Sequence, residues 1–185
     1  VQKLRKGGYD GKGVKLISSV AQLQEGFDNP SLIEDKIDFI KELSVIVARN
    51  EQGEISAFPV VECEFNEQLN LVEFLFSPAD IPSAIEKKAV QLGEQVIKAL
   101  NLTGLLAVEL FLTKEGELLV NEVAPRTHNS GHHTIECNFV SQFEQHMRAI
   151  LGLPLGNTEL RTAGVMVNLI GEDGHAGHAR YEGLE

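Results

Sequence analysis

Residues 104–125 read GLLAVELFLTKEGELLVNEVAP. Two runs rich in Leu, Val and Phe flank the polar turn KEGE, a pattern that predicts a β-hairpin. Inside each run one carboxylate interrupts the apolar residues, Glu109 in the first and Glu122 in the second. Burying a carboxylate costs several kcal/mol unless it is paired or binds a cation. Two that face each other repel, or raise one pKa, unless a cation lies between them. Mg²⁺ suits such a pair, because it takes one or two carboxylates and completes its shell with phosphate oxygens and water. Asn121, beside Glu122, offers a further oxygen or a phosphate contact. The competing reading puts one glutamate on a solvent-facing side of its strand. Alternation from Val120 places Glu122 on the face of Val120, which argues against that reading.

The rest of the chain must supply a scaffold for this hairpin. VQKL and VKLI read as short strands on either side of a glycine-rich loop. SSVAQLQEGF has Val20, Leu23 and Phe27 at helical spacing behind two serines. SLIEDKID, LSVIVARN, ISAFPVVECEF and LNLVEFLFS read as strands, the last two joined by a polar NEQ turn. In SPADIPSAIEKKAVQLGEQVIKAL the period changes: Ile85, Ala89, Leu92, Val96 and Leu100 predict a long amphipathic helix capped by Ser83. APRTHNSGHHT reads as a polar loop, SQFEQHMRAILG as a helix from Ser141 to Gly152, and AGVMVNLIG as a last strand. Strands outnumber helices and their order is mixed, so the fold class is α+β rather than a regular βαβ array.

Net charge of −11 argues against nonspecific nucleic-acid binding, which needs a basic face. Cys63 and Cys137 have no ligand-like spacing, which suits a reduced, cytoplasmic protein. No apolar run approaches the roughly 20 residues that span a bilayer. The chain opens at Val1 within a strand pattern and lacks an initiator Met, so a domain-sized piece of a longer protein is expected.

Basic charge is instead concentrated near the start. KLRKGGYDGKG, residues 3–13, holds four glycines and four basic residues around Tyr9 and Asp10. Glycines let backbone N–H groups converge on an anion, and lysines add compensating charge. The loop fits neither phosphate template: Gly13 stands where a P-loop needs Ser or Thr, and Leu16 where G-x-G-x-x-G needs its third glycine. An exposed loop with solvated lysines is the alternative. Tyr9 and Asp10 point instead to contact with more than a bare phosphate. In APRTHNSGHH, Arg126 can clamp a planar carboxylate or bicarbonate, and His128 can donate a hydrogen bond or move a proton. His128 and His132 also raise the alternative of a zinc site, although NSG between them disfavours a shared helical face.

In order along the chain, GGYDGKG, AVELFLT, VNEVAPRTHNSGHHTIE and SQFEQHMRAILGLPLG resemble the 5-(carboxyamino)imidazole ribonucleotide synthases, ATP-grasp enzymes of purine biosynthesis that form the ATPase subunit of phosphoribosylaminoimidazole carboxylase. The resemblance implies an ATP-grasp fold, with antiparallel and mixed sheets, flanking helices, and both ends incomplete. Residues 1–33 would belong to the small lobe, 34–171 to the large lobe and 172–185 to the start of a C-terminal region. It implies that ATP phosphorylates bicarbonate to carboxyphosphate, whose CO₂ is captured by the amine of 5-aminoimidazole ribonucleotide.

Carried over by position, Lys3 would contact the nucleotide phosphates under a mobile loop running from Gly7 and Gly8 to Gly11 and Gly13. Tyr9, Asp10 and Lys12 would face the imidazole nucleotide. Glu34, Asp35, Lys36 and Ile37 would form the hinge that holds adenine. Glu42 would bind the ribose, and Glu109 and Glu122 would hold Mg²⁺ with Asn121 adjacent. Arg126, His128 and Asn129 would surround bicarbonate and carboxyphosphate. The full-length relatives would be homodimers.

One departure is Phe65, where the family often has His. The N-terminal domain and the C-terminal stretch of the family also lie outside this chain, so the 185 residues alone are expected to turn over weakly or not at all. Three alternatives remain at this point. One is an ATP-grasp ligase with another carboxyl donor, such as formate. The others are a noncatalytic nucleotide-binding module and a structural metal protein built on the histidines.

Overall fold

The computed structural model describes residues 1–7, 13–66, 71–169, 177–178, 181 and 183. Gly8, Tyr9, Asp10, Gly11 and Lys12 therefore lie outside the described residues. Strands β1 (Gln2–Leu4), β2 (Val14–Lys15) and β3 (Ser31–Ile33) form a small antiparallel sheet in the order β2-β1-β3. Leu4 N donates to Gly13 O at 2.8 Å and closes the stem of the glycine-rich segment. Gly7 and Gly13 take φ of +79° and +88°, in the left-handed region that glycine enters without penalty.

The helix expected over SSVAQLQEGF is instead a six-residue 3₁₀ helix, Val20–Glu25. Val20 and Leu23 are exposed at 84% and 60%, so their helical spacing marks no core face. The segment has no apolar surface to dock on, and short helices need docking to form regular α turns.

The larger sheet runs β10-β7-β6-β4-β8-β9, with β5 pairing beside β4. Its members are β4 (Phe39–Arg49), β5 (Ile55–Ala57), β6 (Val61–Asn66), β7 (Leu71–Ser77), β8 (Gly104–Thr113), β9 (Leu118–Ala124) and β10 (Gly164–Val167). Every pairing in it is antiparallel. Helix α1 (Ser83–Ala99) covers one face, and Leu43, Val45, Val47, Leu106, Val108 and Leu110 point toward it. A Cβ at Gly93 would lie 2.8–2.9 Å from Val47 and Val45, so glycine lets the helix seat directly on the sheet. Ser83 is the first helical residue rather than the cap; Pro82 holds the cap position without a side-chain bond.

The opposite face carries Ile46, Ala48, Leu105 and Ala107, packed with Phe58 and Val140. The polar loop contains a 3₁₀ turn (Asn129–Gly131) and a short helix α2 (Thr134–Cys137), followed by α3 (Gln142–Ile150). The helix expected from Ser141 to Gly152 is shorter at both ends; Ser141 is its cap, accepting from Glu144 N. Among the described residues no helix is long and apolar enough to cross a membrane.

Candidate active site

The period of two along β4 and β8 decides what the second face presents. Beyond Ile46 it continues with Ser44 and Glu42, and beyond Ala107 with Glu109 and Phe111. The register brings these into pairs, Ser44 opposite Glu109 and Glu42 opposite Phe111. On the other side of β8, Glu109 lies directly opposite Glu122 of β9. The hairpin thus places its two carboxylates side by side on one face.

Asn121 is an extra residue here, because the register passes from Glu109–Glu122 to Leu110–Val120. This β-bulge breaks the simple alternation: Val120 falls opposite Leu110, and the extra residue Asn121 separates that pair from Glu109–Glu122. The bulge leaves Asn121 and Glu122 together on the rim of one cavity.

That cavity, of about 1240 Å³, lies between the small sheet and the second face of the large one. Glu42 and Glu109 are each pushed up to about 7, first by burial and then by neighbouring carboxylates. For Glu109 the neighbour is Glu122, and for Glu42 it is Glu109 followed by Glu122. Cationic and amide groups oppose the rise at Glu109: Lys3, Asn121 and Arg126, in that order. Lys3 reaches over from β1, donates to Asn121 Oδ1 at 2.9 Å and pairs with Glu34 at 2.8 Å.

Two carboxylates with an adjacent amide oxygen are hard donors suited to Mg²⁺, and the raised affinity of Glu109 for protons reflects its burial beside Glu122. The residues present fit that ion. Among the described residues no group of three or more His, Cys, Asp or Glu is placed to hold a metal ion, so the zinc alternative lacks a ligand set. His132 instead stacks on Phe143 at 5.6 Å and meets Gln142 Nε2 through Nδ1.

Glu34, Asp35, Lys36 and Ile37 form an extended segment along the cavity edge, joining β3 to β4. Phe39 and Phe111 stack at 4.4 Å, nearly parallel at 8°, and give the cavity an apolar wall. Phe65 also lines it. Cys63, opposite Glu42 on β6, has its thiol pushed far up by burial and by Glu109, and stays protonated.

The segment after β9 places Arg126, His128 and Asn129 at the same cavity. Its shape is set by groups that sequence reading passed over. Gln142 is fully buried at the start of α3. Its Oε1 accepts from His128 N at 2.9 Å and its Nε2 donates to His128 O at 2.7 Å, so one amide brackets one residue. A Cβ at Gly131 would fall 2.3–2.4 Å from Ile46 and Gln142, so only glycine permits that close approach. Asn129 exchanges two hydrogen bonds with Asn168, at 2.9 and 3.1 Å, and Asn168 is anchored on Val72 O.

His128 is held down to about 4 by burial, with Arg126 and His132 adding to the effect, so its ring is neutral near pH 7. Its Nε2 lies 3.5 Å from Glu109 Oε1, a polar contact between a neutral ring and a carboxyl group. A Gln in a helical first turn, or a lone Asn just past the end of a strand, carries no signal of such roles. The nearest hint is that both sit beside apolar residues of elements already assigned.

A family model for the ATP-grasp domain matches residues 1–143. The chain is 47% identical over 177 residues to the N5-carboxyaminoimidazole ribonucleotide synthase of Bacillus subtilis, covering 94% of this chain and 46% of that protein. It is 38% identical over 179 residues to the phosphoribosylaminoimidazole carboxylase of Candida albicans, covering 92% and 31%. Among solved structures, the N5-carboxyaminoimidazole ribonucleotide synthetase of Thermotoga maritima superposes with TM-score 0.81 at 46% identity, over 94% of this chain and 45% of that one. The Aspergillus clavatus synthase complexed with ATP gives 0.88 at 34% identity, over 93% and 46%. The chain spans less than half the length of these relatives. With a matching family model over most of its length, and the carboxylate hairpin and basic first strand meeting at one cavity, the chain belongs to the ATP-grasp family.

Proposed function

We propose that this chain carries the ATP-binding part of a ligase that carboxylates 5-aminoimidazole ribonucleotide with bicarbonate, through carboxyphosphate, in purine biosynthesis. The single observation that carries the reading is the Glu109–Glu122 pair, which faces the cavity that also receives Lys3 and Arg126. The relatives named N5-carboxyaminoimidazole ribonucleotide synthase support the choice of substrate.

Phosphoryl transfer depends on alignment and charge neutralisation more than on covalent help. Glu109 and Glu122, with Asn121 adjacent, would hold Mg²⁺, which supplies charge neutralisation on the ATP phosphates. Lys3 binds the phosphates from β1, where its ammonium already spans to Asn121. Residues 34–37 hold the adenine along the hinge, with Glu42 on the ribose hydroxyls, and the Phe39–Phe111 wall keeps water from the base. Arg126 clamps bicarbonate through parallel hydrogen bonds, and Asn129, fixed by Asn168, orients it. His128 donates a hydrogen bond to the developing carboxyphosphate. The glycine segment from Gly7 to Gly13, with Tyr9, Asp10 and Lys12, covers the phosphates and meets the imidazole nucleotide. Excluding water protects the short-lived carboxyphosphate.

In this reading residues 1–33 and 34–171 belong to the two lobes of the ATP-grasp fold, and 172–185 begin the next region. The whole enzyme is a cytoplasmic homodimer, without nucleic-acid or membrane partners, and the 185 residues alone turn over slowly or not at all. The test is ADP release by the full-length enzyme with Mg-ATP and 5-aminoimidazole ribonucleotide, adding bicarbonate, formate or neither. Stimulation by bicarbonate alone is expected. Preference for formate, or no response to any donor with intact Mg-ATP binding, contradicts the proposal.

A further inference from the structure

Two buried hydroxyls stand behind His128, and neither lines the cavity. Ser130 Oγ lies 2.9 Å from His128 Nδ1, and Ser44 Oγ lies 2.8 Å from Ser130 Oγ. Ser44 and Ser130 are 1% and 2% exposed, so water does not compete for these bonds. Ser130 N also directs its hydrogen at His128 Nδ1, at 3.4 Å. A nitrogen that receives a backbone N–H cannot carry a proton of its own. Nδ1 is therefore the acceptor, and the hydroxyls run in one direction, Ser44 to Ser130 to Nδ1. In the neutral ring the proton then sits on Nε2, which faces Glu109 Oε1 at 3.5 Å.

We propose that Ser44 and Ser130 are positioning residues that lock His128 in its Nε2–H tautomer, making it a fixed hydrogen-bond donor toward Glu109 and the cavity. Gln142 holds the peptide of the same residue from both sides, so ring position and proton position are set by separate devices. The location of Ser44 follows from the sheet: it stands in register with Glu109 and on the same face, one layer beneath the cavity. Without the lock the ring would divide between two tautomers, and one of them presents a bare lone pair to a carboxylate. The consequence for turnover rests on the ligase reading above; the tautomer itself does not.

The experiment is a long-range ¹H–¹⁵N spectrum of the histidine rings in ¹⁵N-labelled protein near pH 7.5, without metal or nucleotide. Wild type is expected to show His128 as a single Nε2–H tautomer. Ser130→Ala removes the 2.9 Å hydroxyl bond and leaves only the long backbone contact at 3.4 Å, so it should shift the ring to a mixture. Ser44→Ala, which leaves the Ser130 hydroxyl in place, should give a smaller shift in the same direction and serves if Ser130→Ala does not fold. Bicarbonate-stimulated ADP release should fall roughly tenfold in Ser130→Ala, with the KM for ATP within about twofold of wild type, as for other groups that orient a reacting residue from behind.

A wild-type ring protonated on Nδ1, or an unchanged Nε2–H ring in both variants, overturns the lock. A shifted tautomer with unchanged turnover overturns the positioning role. If wild type shows the Nε2–H ring but no donor stimulates ADP release, the ligase reading fails and the lock stands.

Discussion

Lys3 and Asn121, separated by 118 positions in sequence, meet at 2.9 Å and tie the small sheet to the bulge of the carboxylate hairpin. The lysine is only 19% exposed and also pairs with Glu34. In the apo protein its charge is shared between two partners that line the cavity; in the proposed complex it turns to phosphate. Lys3→Ala should weaken Mg-ATP binding about tenfold or more, the usual worth of one charge-assisted hydrogen bond. Isothermal titration calorimetry reads this directly. Unchanged affinity would mean that Lys3 only braces the two sheets.

Arg126 acts on a different ligand in this account. Arg126→Ala should raise the KM for bicarbonate roughly tenfold to a hundredfold and leave ATP affinity within about twofold. Steady-state kinetics with each substrate varied separately measures both. Equal losses would place the guanidinium on the nucleotide.

Glu109 gives a pH signature in metal-free buffer. Its carboxyl is raised from 4.5 to about 7 in the folded protein, by burial and by Glu122. The folded state thus keeps a proton that the unfolded chain has released, and the stability this provides is lost as pH rises from about 4.5 through about 7. Glu109→Gln cannot ionise. The variant should match wild type near pH 4.5 and exceed it at pH 8 by on the order of 1–3 kcal/mol in urea unfolding. Glu42 is raised partly by Glu109, so the substitution relaxes it as well and adds to the difference in the same direction. His128 and His133, held down to about 4 by burial, are present in both proteins and drop out to first order. A variant less stable than wild type at pH 8 would contradict the crowding of charge at this site.

Gly131→Ala tests the packing behind His128. The added methyl would lie 2.3–2.4 Å from Ile46 and the Gln142 amide, and Gln142 is fully buried. Overpacking of this kind costs about 1–3 kcal/mol. A lower Tm is expected, together with loss of bicarbonate stimulation as the His128 bracket is displaced. A fully stable, fully active variant would show that the loop has room the geometry denies.

The hairpin was legible because its pattern, turn and paired glutamates all pointed the same way, and Glu109 does stand opposite Glu122. The bulge at Asn121 was not legible, since an extra residue in a strand leaves no mark on composition. Val20 and Leu23 misled because helical spacing speaks only when a partner surface exists, and both side chains face solvent. Long helix α1 had such a surface: Ala89 is buried, and Ile85, Leu92 and Val96 are half-buried against the sheet, as the period predicts. Leu100, by contrast, falls at the C-cap and is 53% exposed, and Ile97, outside that period, is buried instead. Glu42 was drawn toward Glu109 and Glu122 by strand register, a property of pairing that no local stretch encodes. Gln142, Asn168, Ser44 and Ser130 act through contacts 2 to 96 positions away, and each is a residue type ordinarily read as surface or turn.

The central claim is that Glu109 and Glu122 share one divalent ion that carries the nucleotide. The most direct measurement is ATP affinity by calorimetry with and without Mg²⁺, in wild type and in Glu122→Gln. Wild type should bind ATP at least about tenfold more tightly with Mg²⁺, and the variant should lose that enhancement while still binding free ATP. The same Mg²⁺ enhancement in Glu122→Gln as in wild type would contradict it.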